Sequence, residues 1–195
     1  MTRHLLCTAA SLLFLACARP ESRPNAADND SVAAIPQPAS FKLTSSALRA
    51  GDSIPVQYTC DGANQSPPLS WAGAPPGTKS FALVVDDPDA PGGTFVHWVI
   101  YNVPATADSL PPGIASGVRV PGLGEARQAE NGFNKALGYG GPCPPKGPAH
   151  DYHFRLFALD RLLDVEAPAS RDDVVEAMQG HEVGHTQLVA PYSRR

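Results

Sequence analysis

Three aspartates and a histidine lie close together near the middle of the chain. Asp86, Asp87 and Asp89 precede a turn rich in proline and glycine, and His97 follows that turn. Carboxylates and an imidazole in one place can pair with a cation and exchange hydrogen bonds with a polar ligand. Aspartates also favour turns, and a single histidine is more often a hydrogen-bonded structural group. These four residues alone therefore leave a structural turn and a ligand site as alternatives.

A second group of polar residues, further along the chain, has the composition of an anion site. Gly140 and Gly141 predict accessible backbone N–H groups, and His150 and Tyr152 add side-chain donors. Successive backbone N–H groups together with such donors bind anions. Prolines between these residues stiffen the loop that carries them. The coincidence of the two groups favours a binding site over a structural turn.

Short strands must position both groups. Apolar, β-forming runs at residues 81–85 and 95–103 flank the aspartate turn and predict two strands with buried faces. A capping box at Ser170 predicts a helix of about ten residues that ends at Gly180. Many short strands with glycine, proline and asparagine between them predict a β-sandwich. The remaining strand candidates are residues 41–43, 54–59, 69–71, 152–159 and 183–190.

Length and charge limit the function classes. The chain has 195 residues, of which 43% are hydrophobic, so we expect one folded domain with a sizeable core. The formal net charge is −4, and no cluster of lysine and arginine is visible. Because binding to nucleic acid requires such clusters to neutralise phosphates, we expect no nucleic-acid partner.

The first 17 residues have the pattern of an export signal. Residues 1–17 begin with basic side chains and continue as an apolar run of about 12 residues, shorter than the roughly 20 that span a bilayer. We therefore expect an exported protein of the periplasm or cell envelope. The sequence around Cys17 resembles a bacterial lipobox, which would place a lipid on Cys17 and hold the protein at a membrane. The alternative is ordinary cleavage after Ala18.

The next segment separates the signal from the domain. Residues 18–40 are small, polar and rich in proline, which predicts a disordered tether. The folded domain then covers residues 41–195 and contains two cysteines, Cys60 and Cys143. A disulfide between them is possible in an exported protein and would stabilise the fold by roughly 4 kcal/mol. The alternative is two small buried thiols that never pair.

One short motif points to a different class of protein. His181, Glu182 and His185 match the His-Glu-x-x-His pattern of zinc peptidases. Zinc binding by this pattern needs both histidines on one face of a helix, and Gly180 and Gly184 oppose a helix there. We keep a zinc peptidase as a distant alternative and expect no bound metal.

Several motifs in order resemble the phosphatidylethanolamine-binding protein family in its bacterial branch, over residues 41–195. The residues that carry the resemblance are Asp87-Pro88-Asp89-Ala90-Pro91, His97-Trp98, residues 141–147, His150 and Tyr152, with residues 58–62 and 66–71 in support.

The resemblance implies a fold and a function. The fold is a sandwich of two antiparallel sheets with a shallow pocket for a small anion or a phospholipid head group. The function is binding without catalysis or cofactor, and the alternative is inhibition of a kinase or peptidase partner through the pocket rim. We expect anion binding to strengthen as the pH falls through the histidine range. The implied pocket residues are Asp87, Asp89, His97, Pro144, His150 and Tyr152.

The chain departs from the family pattern at one position. Asp151 stands between His150 and Tyr152, where the family commonly has arginine. Because side chains alternate along a strand, Asp151 is expected on the opposite face from its two neighbours. We therefore expect the pocket to persist with a changed rim.

Overall fold

The computed structural model describes residues 40–195. The predictions for the signal segment, for Cys17 and for nearly all of the tether lie outside these residues. The strands are β1 (Lys42–Thr44), β2 (Leu69–Ala72), β3 (Ser80–Asp87), β4 (Phe95–Pro104), β5 (Ser109–Leu110), β6 (Arg127–Gln128), β7 (His150–Leu159) and β8 (Glu182–Tyr192). A 3₁₀ turn covers Val56–Tyr58, and helix α1 covers Arg171–Met178.

The strands form two antiparallel sheets. The smaller sheet has the order β1-β2-β5, and the larger has the order β6-β4-β3-β7-β8. Trp71 of the smaller sheet meets Phe81 of the larger one, with ring centroids 5.3 Å apart. The predicted β-sandwich with one short helix is confirmed.

The larger sheet is buried on both of its faces. One face packs against the smaller sheet, and the other is covered by an apolar cluster that includes Val174 and Met178 of α1. All eight residues of β3 are buried as a result. This explains why the β3 sequence is continuously apolar up to its aspartates instead of alternating.

The predicted helix forms, and it is slightly shorter than expected. The Ser170 side chain accepts a hydrogen bond from the Asp173 N–H, and the Asp173 carboxylate accepts one from the Ser170 N–H. This reciprocal cap fixes the first turn. The helix has eight residues because Gln179 already has an extended ψ of 125°. No helix within residues 40–195 has the length and apolar character needed to cross a bilayer.

The predicted strand at residues 54–59 is wrong. The chain makes a 3₁₀ turn there, after Pro55, and Val56 is 54% exposed. Gly62 packs so closely on the Val56 carbonyl that a Cβ at this position would collide with it. The segment therefore folds back on itself, which an extended strand would prevent.

Strand β8 runs further than its sequence predicts. It continues through Pro191 to Tyr192, two residues beyond the predicted end at residue 190. Proline is tolerated because β8 is an edge strand, where a missing N–H costs no ladder bond. The Pro191 carbonyl accepts a hydrogen bond from the Ile54 N–H.

The zinc-peptidase alternative is wrong. His185 lies within strand β8 and His181 precedes it, so the motif has no helical face. The His181 ring is hydrogen-bonded to Asp160, and the His185 ring to Glu182. No group of three or more potential metal-ligating side chains is found within residues 40–195.

Candidate functional site

A cavity of about 160 Å³ lies at one end of the larger sheet, where β3 ends and β4 and β7 begin. Antiparallel pairing places these three strand ends side by side. The cavity brings together five of the six predicted pocket residues, and Asp89 is not among the residues that line it. The lining residues are Asp87, Ala90, Pro91, Phe95, His97, Phe133, Cys143, Pro144, Pro145, His150 and Tyr152.

Asp87 is the centre of a short hydrogen-bond chain. Its Oδ2 lies 2.7 Å from Nδ1 of His150, and its Oδ1 accepts a hydrogen bond from the Asp89 N–H at 2.8 Å. Asp89 is exposed at the rim, and its Oδ2 accepts a hydrogen bond from the Asp151 N–H. The turn is thus tied to the start of β7. The Asp89 N–H orients the Asp87 carboxylate. Asp87 forms part of the cavity wall, and Asp89 does not.

His97 reaches the cavity through a β-bulge. Val85 pairs with Trp98 and Asp86 pairs with Val96, so His97 has no partner on β3. Trp98 packs between the sheets, whereas Val96 packs on the helix side. A bulge lets two consecutive side chains lie on the same face, which simple alternation forbids. His97 and Trp98 both face the side of the smaller sheet for this reason.

The His97 ring is held in one tautomer by a backbone carbonyl. Its Nδ1 lies 2.6 Å from the Gly140 carbonyl oxygen, which can only accept, so Nδ1 carries the proton. Burial lowers the pKa of His97, and the Gly140 carbonyl and the Asp87 charge oppose this shift without cancelling it. His97 is therefore a neutral imidazole near pH 7.

The Tyr152 hydroxyl is a buried donor without a hydrogen bond of good geometry, and the nearest acceptor side chain is Asp87. Tyr152 is fully buried, and no group of good hydrogen-bond geometry meets its hydroxyl within residues 40–195. Burial raises the pKa of Tyr152, and the negative charge of Asp87 raises it further. The hydroxyl therefore keeps its proton. Buried polar groups almost always have partners, so this one marks a place for a ligand or water.

Two phenylalanines that the sequence analysis missed form the apolar wall. The Phe95 and Phe133 rings are 4.7 Å apart and lie 5.1 and 5.5 Å from the His97 ring. Phe133 is placed by a tight turn in which Asn134 and Lys135 have φ of 55° and 58°. Asparagine tolerates this left-handed conformation, and it was the one local signal for the turn.

A disulfide supports the opposite wall. Cys60 and Cys143 are bonded, with Cα atoms 5.4 Å apart and a sequence separation of 83. Cys143 itself lines the cavity, next to Pro144. The Cys60 N–H also donates to the Pro142 carbonyl. The disulfide therefore joins the cavity loop to the segment around the 3₁₀ turn.

The predicted availability of the loop N–H groups is wrong. The Gly140 N–H donates to the His97 carbonyl at 2.8 Å, and the Gly141 N–H donates to Oδ1 of Asn64 at 2.7 Å. Glycine is needed here for close packing, because a Cβ on Gly140 would collide with the Phe133 ring. Neither of these two N–H groups is left for a ligand.

The family model described as "Phosphatidylethanolamine-binding protein" matches residues 44–193, which is most of the chain. The chain belongs to the phosphatidylethanolamine-binding protein family. The interpretation drawn from its motifs is confirmed. Relatives include a UPF0098 protein of Methanothermobacter thermautotrophicus, 49% identical over 143 residues, which are 72% of this chain and 91% of the relative. A UPF0098 protein of Aquifex aeolicus is 41% identical over 156 residues, which are 79% of this chain and 89% of the relative.

Two solved members of the phosphatidylethanolamine-binding protein family have a similar fold. YbcL of E. coli, described as a new member of the mammalian family, has a TM-score of 0.74 and 35% identity, over 80% of this chain and 100% of its own. A putative homologue from Chlamydia trachomatis has a TM-score of 0.70 and 34% identity, over 80% of this chain and 98% of its own.

Asp151, the departure from the phosphatidylethanolamine-binding protein pattern, lies outside the cavity. Its side chain is exposed, whereas His150 and Tyr152 on either side line the cavity. Strand alternation accounts for this placement. The ligand-binding roles of the six predicted residues stay predictions.

Proposed function

We propose that this protein binds a small anion or a phosphorylated head group in the cavity, without covalent chemistry. The observation that carries the proposal is the Tyr152 hydroxyl, a buried donor that lines the cavity close to the Asp87 carboxylate and makes no hydrogen bond of good geometry. His150 lines the same cavity, and its Nε2 has no hydrogen-bond partner within residues 40–195. A phosphate oxygen would accept a hydrogen bond from the Tyr152 hydroxyl, and one from His150 Nε2 when the His150 ring carries a second proton.

The charge in the cavity determines which anions fit. Asp87 is a lining carboxylate, and no lysine or arginine of residues 40–195 lines the cavity. Two like charges 4 Å apart repel by about 4 kcal/mol at an effective dielectric constant of 20. The repulsion is relieved when His150 gains a proton, or when the ligand brings an ammonium group that pairs with Asp87 or Asp89. Phosphorylethanolamine meets the second condition.

The size of the cavity favours a head group over a whole lipid. At about 160 Å³ it is smaller than the roughly 300 Å³ at which pockets for drug-sized ligands begin. The acyl chains of a phospholipid would have to stay outside. The family description and the name of the Chlamydia trachomatis homologue support phospholipid-related ligands for this protein too.

The experiment is a titration of the protein with phosphorylethanolamine, followed by phosphorus NMR. We expect saturable binding that is lost in His150→Ala and kept in His185→Ala, because His185 lies on β8 away from the cavity. Affinity should rise as the pH is lowered from about 8 to about 5, through the histidine range. Absence of binding at millimolar ligand would refute the head-group proposal, and flat affinity over this range would refute the charge argument.

We further propose export and attachment to a membrane through a lipid on Cys17. The Cys60–Cys143 disulfide supports export, because such bonds persist in oxidising compartments. Cell fractionation of the wild type and of Cys17→Ser tests the anchor. The wild type should be found with membranes and the variant should be released. Equal fractionation of both would contradict the lipid anchor.

Inhibition of a protein partner has less support. The exposed large apolar side chains of residues 40–195 are Val56, Leu162 and Val183, and none of them lines the cavity. Pro144, at the rim, is buried. A partner-binding rim would need a contiguous apolar patch, so no observation favours this function.

A further inference from the structure

The cavity contains hydrogen-bond acceptors, and an anion without a proton has no donor to offer them. His97 uses Nδ1–H for the Gly140 carbonyl, and its Nε2 has no hydrogen-bond partner within residues 40–195. Because the ring is neutral, Nε2 carries a lone pair and no proton. His97 is only 2% exposed and lines the cavity, so a ligand is the group that Nε2 can meet.

Asp87 is a second acceptor with spare capacity. Each of its carboxylate oxygens receives one hydrogen bond, from the Asp89 N–H and from the His150 ring. A carboxylate oxygen has two lone-pair sites, so each can accept another donor. The cavity therefore presents acceptors from Asp87 and His97 beside the Tyr152 hydroxyl, and His150 Nε2 becomes a donor only when its ring carries a second proton.

The charged groups around the cavity do not change this arrangement of hydrogen-bond donors and acceptors. The buried Asp86 lies behind the cavity on the other face of β3, and its carboxylate is paired with Arg155. An anion without a proton would place oxygen atoms against the two acceptors. The titratable and charged groups that face the cavity or influence its residues are Asp86 and Asp87 from β3, Asp89 from the turn, His97 from β4, His150 and Tyr152 from β7 and Tyr192 from β8.

We propose that the cavity selects anions that carry a hydrogen-bond donor of their own over anions of the same shape and charge that carry none, with Asp87 and His97 as the residues that discriminate. The preferred class contains hydrogen phosphates, monoprotonated phosphomonoesters and phosphonates, and ammonium-bearing phosphoesters. Sulfate and sulfonates form the rejected class. This inference rests on the proposed anion-binding function and adds the chemical class of the ligand.

A matched pair of small anions tests the selection. Methylphosphonate at about pH 5 is a monoanion that keeps one acidic proton, since second ionisations of this class lie near pH 6. Methanesulfonate has the same shape and charge and no proton. Titration of both into the protein, followed by amide NMR shifts of residues around His150, measures each affinity in the same site. We expect methylphosphonate to bind at least tenfold more tightly.

The variant Asp87→Asn identifies the discriminating group. It replaces one carboxylate oxygen by a donor, so methanesulfonate should gain affinity and the ratio of the two affinities should fall at least fivefold. Asp172→Asn removes one negative charge from an exposed site on α1 and should leave the ratio unchanged. Two anions compared on one folded sample give a ratio that does not depend on the stability of the variant.

Two outcomes would overturn the inference, and they differ in what they leave standing. If the wild type binds both anions equally, the selection is refuted and anion binding survives. If neither anion nor phosphorylethanolamine shifts any resonance near His150, both the selection and the proposed function are refuted.

Discussion

Asp86 and Asp87 are consecutive residues on β3. They lie on opposite faces of the sheet and therefore have different partners. Asp86 is fully buried on the helix side, where NH2 of Arg155 lies 2.5 and 2.6 Å from its two oxygens. Asp87 lies on the cavity side, where its partner is the His150 ring at 2.7 Å. The sequence motif is the same for both residues, and only the partner and the face differ.

The difference separates a fixed ion pair from one that a ligand can contact. Arginine remains charged at every working pH, so the Asp86–Arg155 pair is a constant link between β3 and β7. Asp87 and His150 both line the cavity, so a bound ligand can contact this pair directly. We infer that the Asp86–Arg155 pair on the helix side stabilises the sheet. The Asp87–His150 pair on the cavity side takes part in ligand binding. The predictions below test this division.

Removing the disulfide should have the largest effect, because it is the covalent support of the cavity side. Replacing both Cys60 and Cys143 by alanine should lower the free energy of unfolding by about 4 kcal/mol, the chain-entropy value for a loop of 83 residues. Phosphorylethanolamine affinity should fall as well, because Cys143 and Pro144 line the cavity. Denaturant unfolding and NMR titration measure the two effects, and reduction of the wild type should reproduce them. Lost stability with unchanged affinity would show that the bond supports only the fold.

Breaking the fixed pair should lower stability and spare binding. Arg155→Met leaves the Asp86 carboxylate buried without a cation, which costs roughly 3–5 kcal/mol for a fully buried pair. Because the Arg155 side chain is 34% exposed, we expect a smaller loss of about 2–3 kcal/mol in denaturant unfolding. Arg155→Lys keeps the charge and should lose less. Affinity for phosphorylethanolamine should stay within about twofold of the wild type. A large loss of affinity would mean that the two faces are coupled.

Removing the hydroxyl of Tyr152 should produce the opposite pattern. Tyr152→Phe deletes a buried donor that makes no hydrogen bond of good geometry, so the free energy of unfolding should stay within about 1 kcal/mol of the wild type or rise. Ligand affinity should fall about tenfold, the equivalent of one charge-assisted hydrogen bond. Tyr139→Phe is the matched control, because the Tyr139 hydroxyl donates to the Tyr58 carbonyl at 2.7 Å. This control should lose about 1 kcal/mol of stability and no affinity. Identical behaviour of the two variants would contradict the assignment of Tyr152 to the site.

The sequence was sufficient for the elements with strong patterns. Strands β3, β4, β7 and β8 have long apolar or alternating runs, and the helix has its capping box, so all five were predicted within a few residues. Strands β5 and β6 have two residues each, too few for any periodicity to show. The apolar run at residues 54–59 was misleading, because Pro55 and the close approach of Gly62 select a turn over a strand.

The candidate site was predictable by residue type and not by geometry. Five of the six pocket residues expected from the family motifs do line one cavity. Alternation alone would place His97 on the face opposite Trp98. The β-bulge that brings both side chains to the same face depends on the pairing of β4 with β3. The Gly140 and Gly141 N–H groups are also hydrogen-bonded to partners that are distant in the sequence, the His97 carbonyl and the Asn64 side chain. Long-range contacts of this kind leave no signal in the local sequence.

The smallest expected effect concerns the one histidine that the cavity keeps neutral. Burial lowers the pKa of His97 below the ordinary value of 6.5. As the pH falls below 6.5, the unfolded chain binds a proton at this position and the folded protein does not. The free energy of unfolding therefore decreases with falling pH, until the folded pKa is reached.

His97→Gln removes the titrating group and should make stability less sensitive to pH below 6.5. The difference between wild type and variant should be the smallest of the stability effects predicted for this protein, with the wild type losing more stability than the variant as the pH falls. Thermal or urea unfolding of both proteins at several pH values measures it, and the other acidic groups cancel in the difference. Equal pH dependence in the two proteins would mean that His97 protonates normally in the folded state. Its Nε2 would then be a donor, and the discrimination between protonated and unprotonated anions would rest on Asp87 alone.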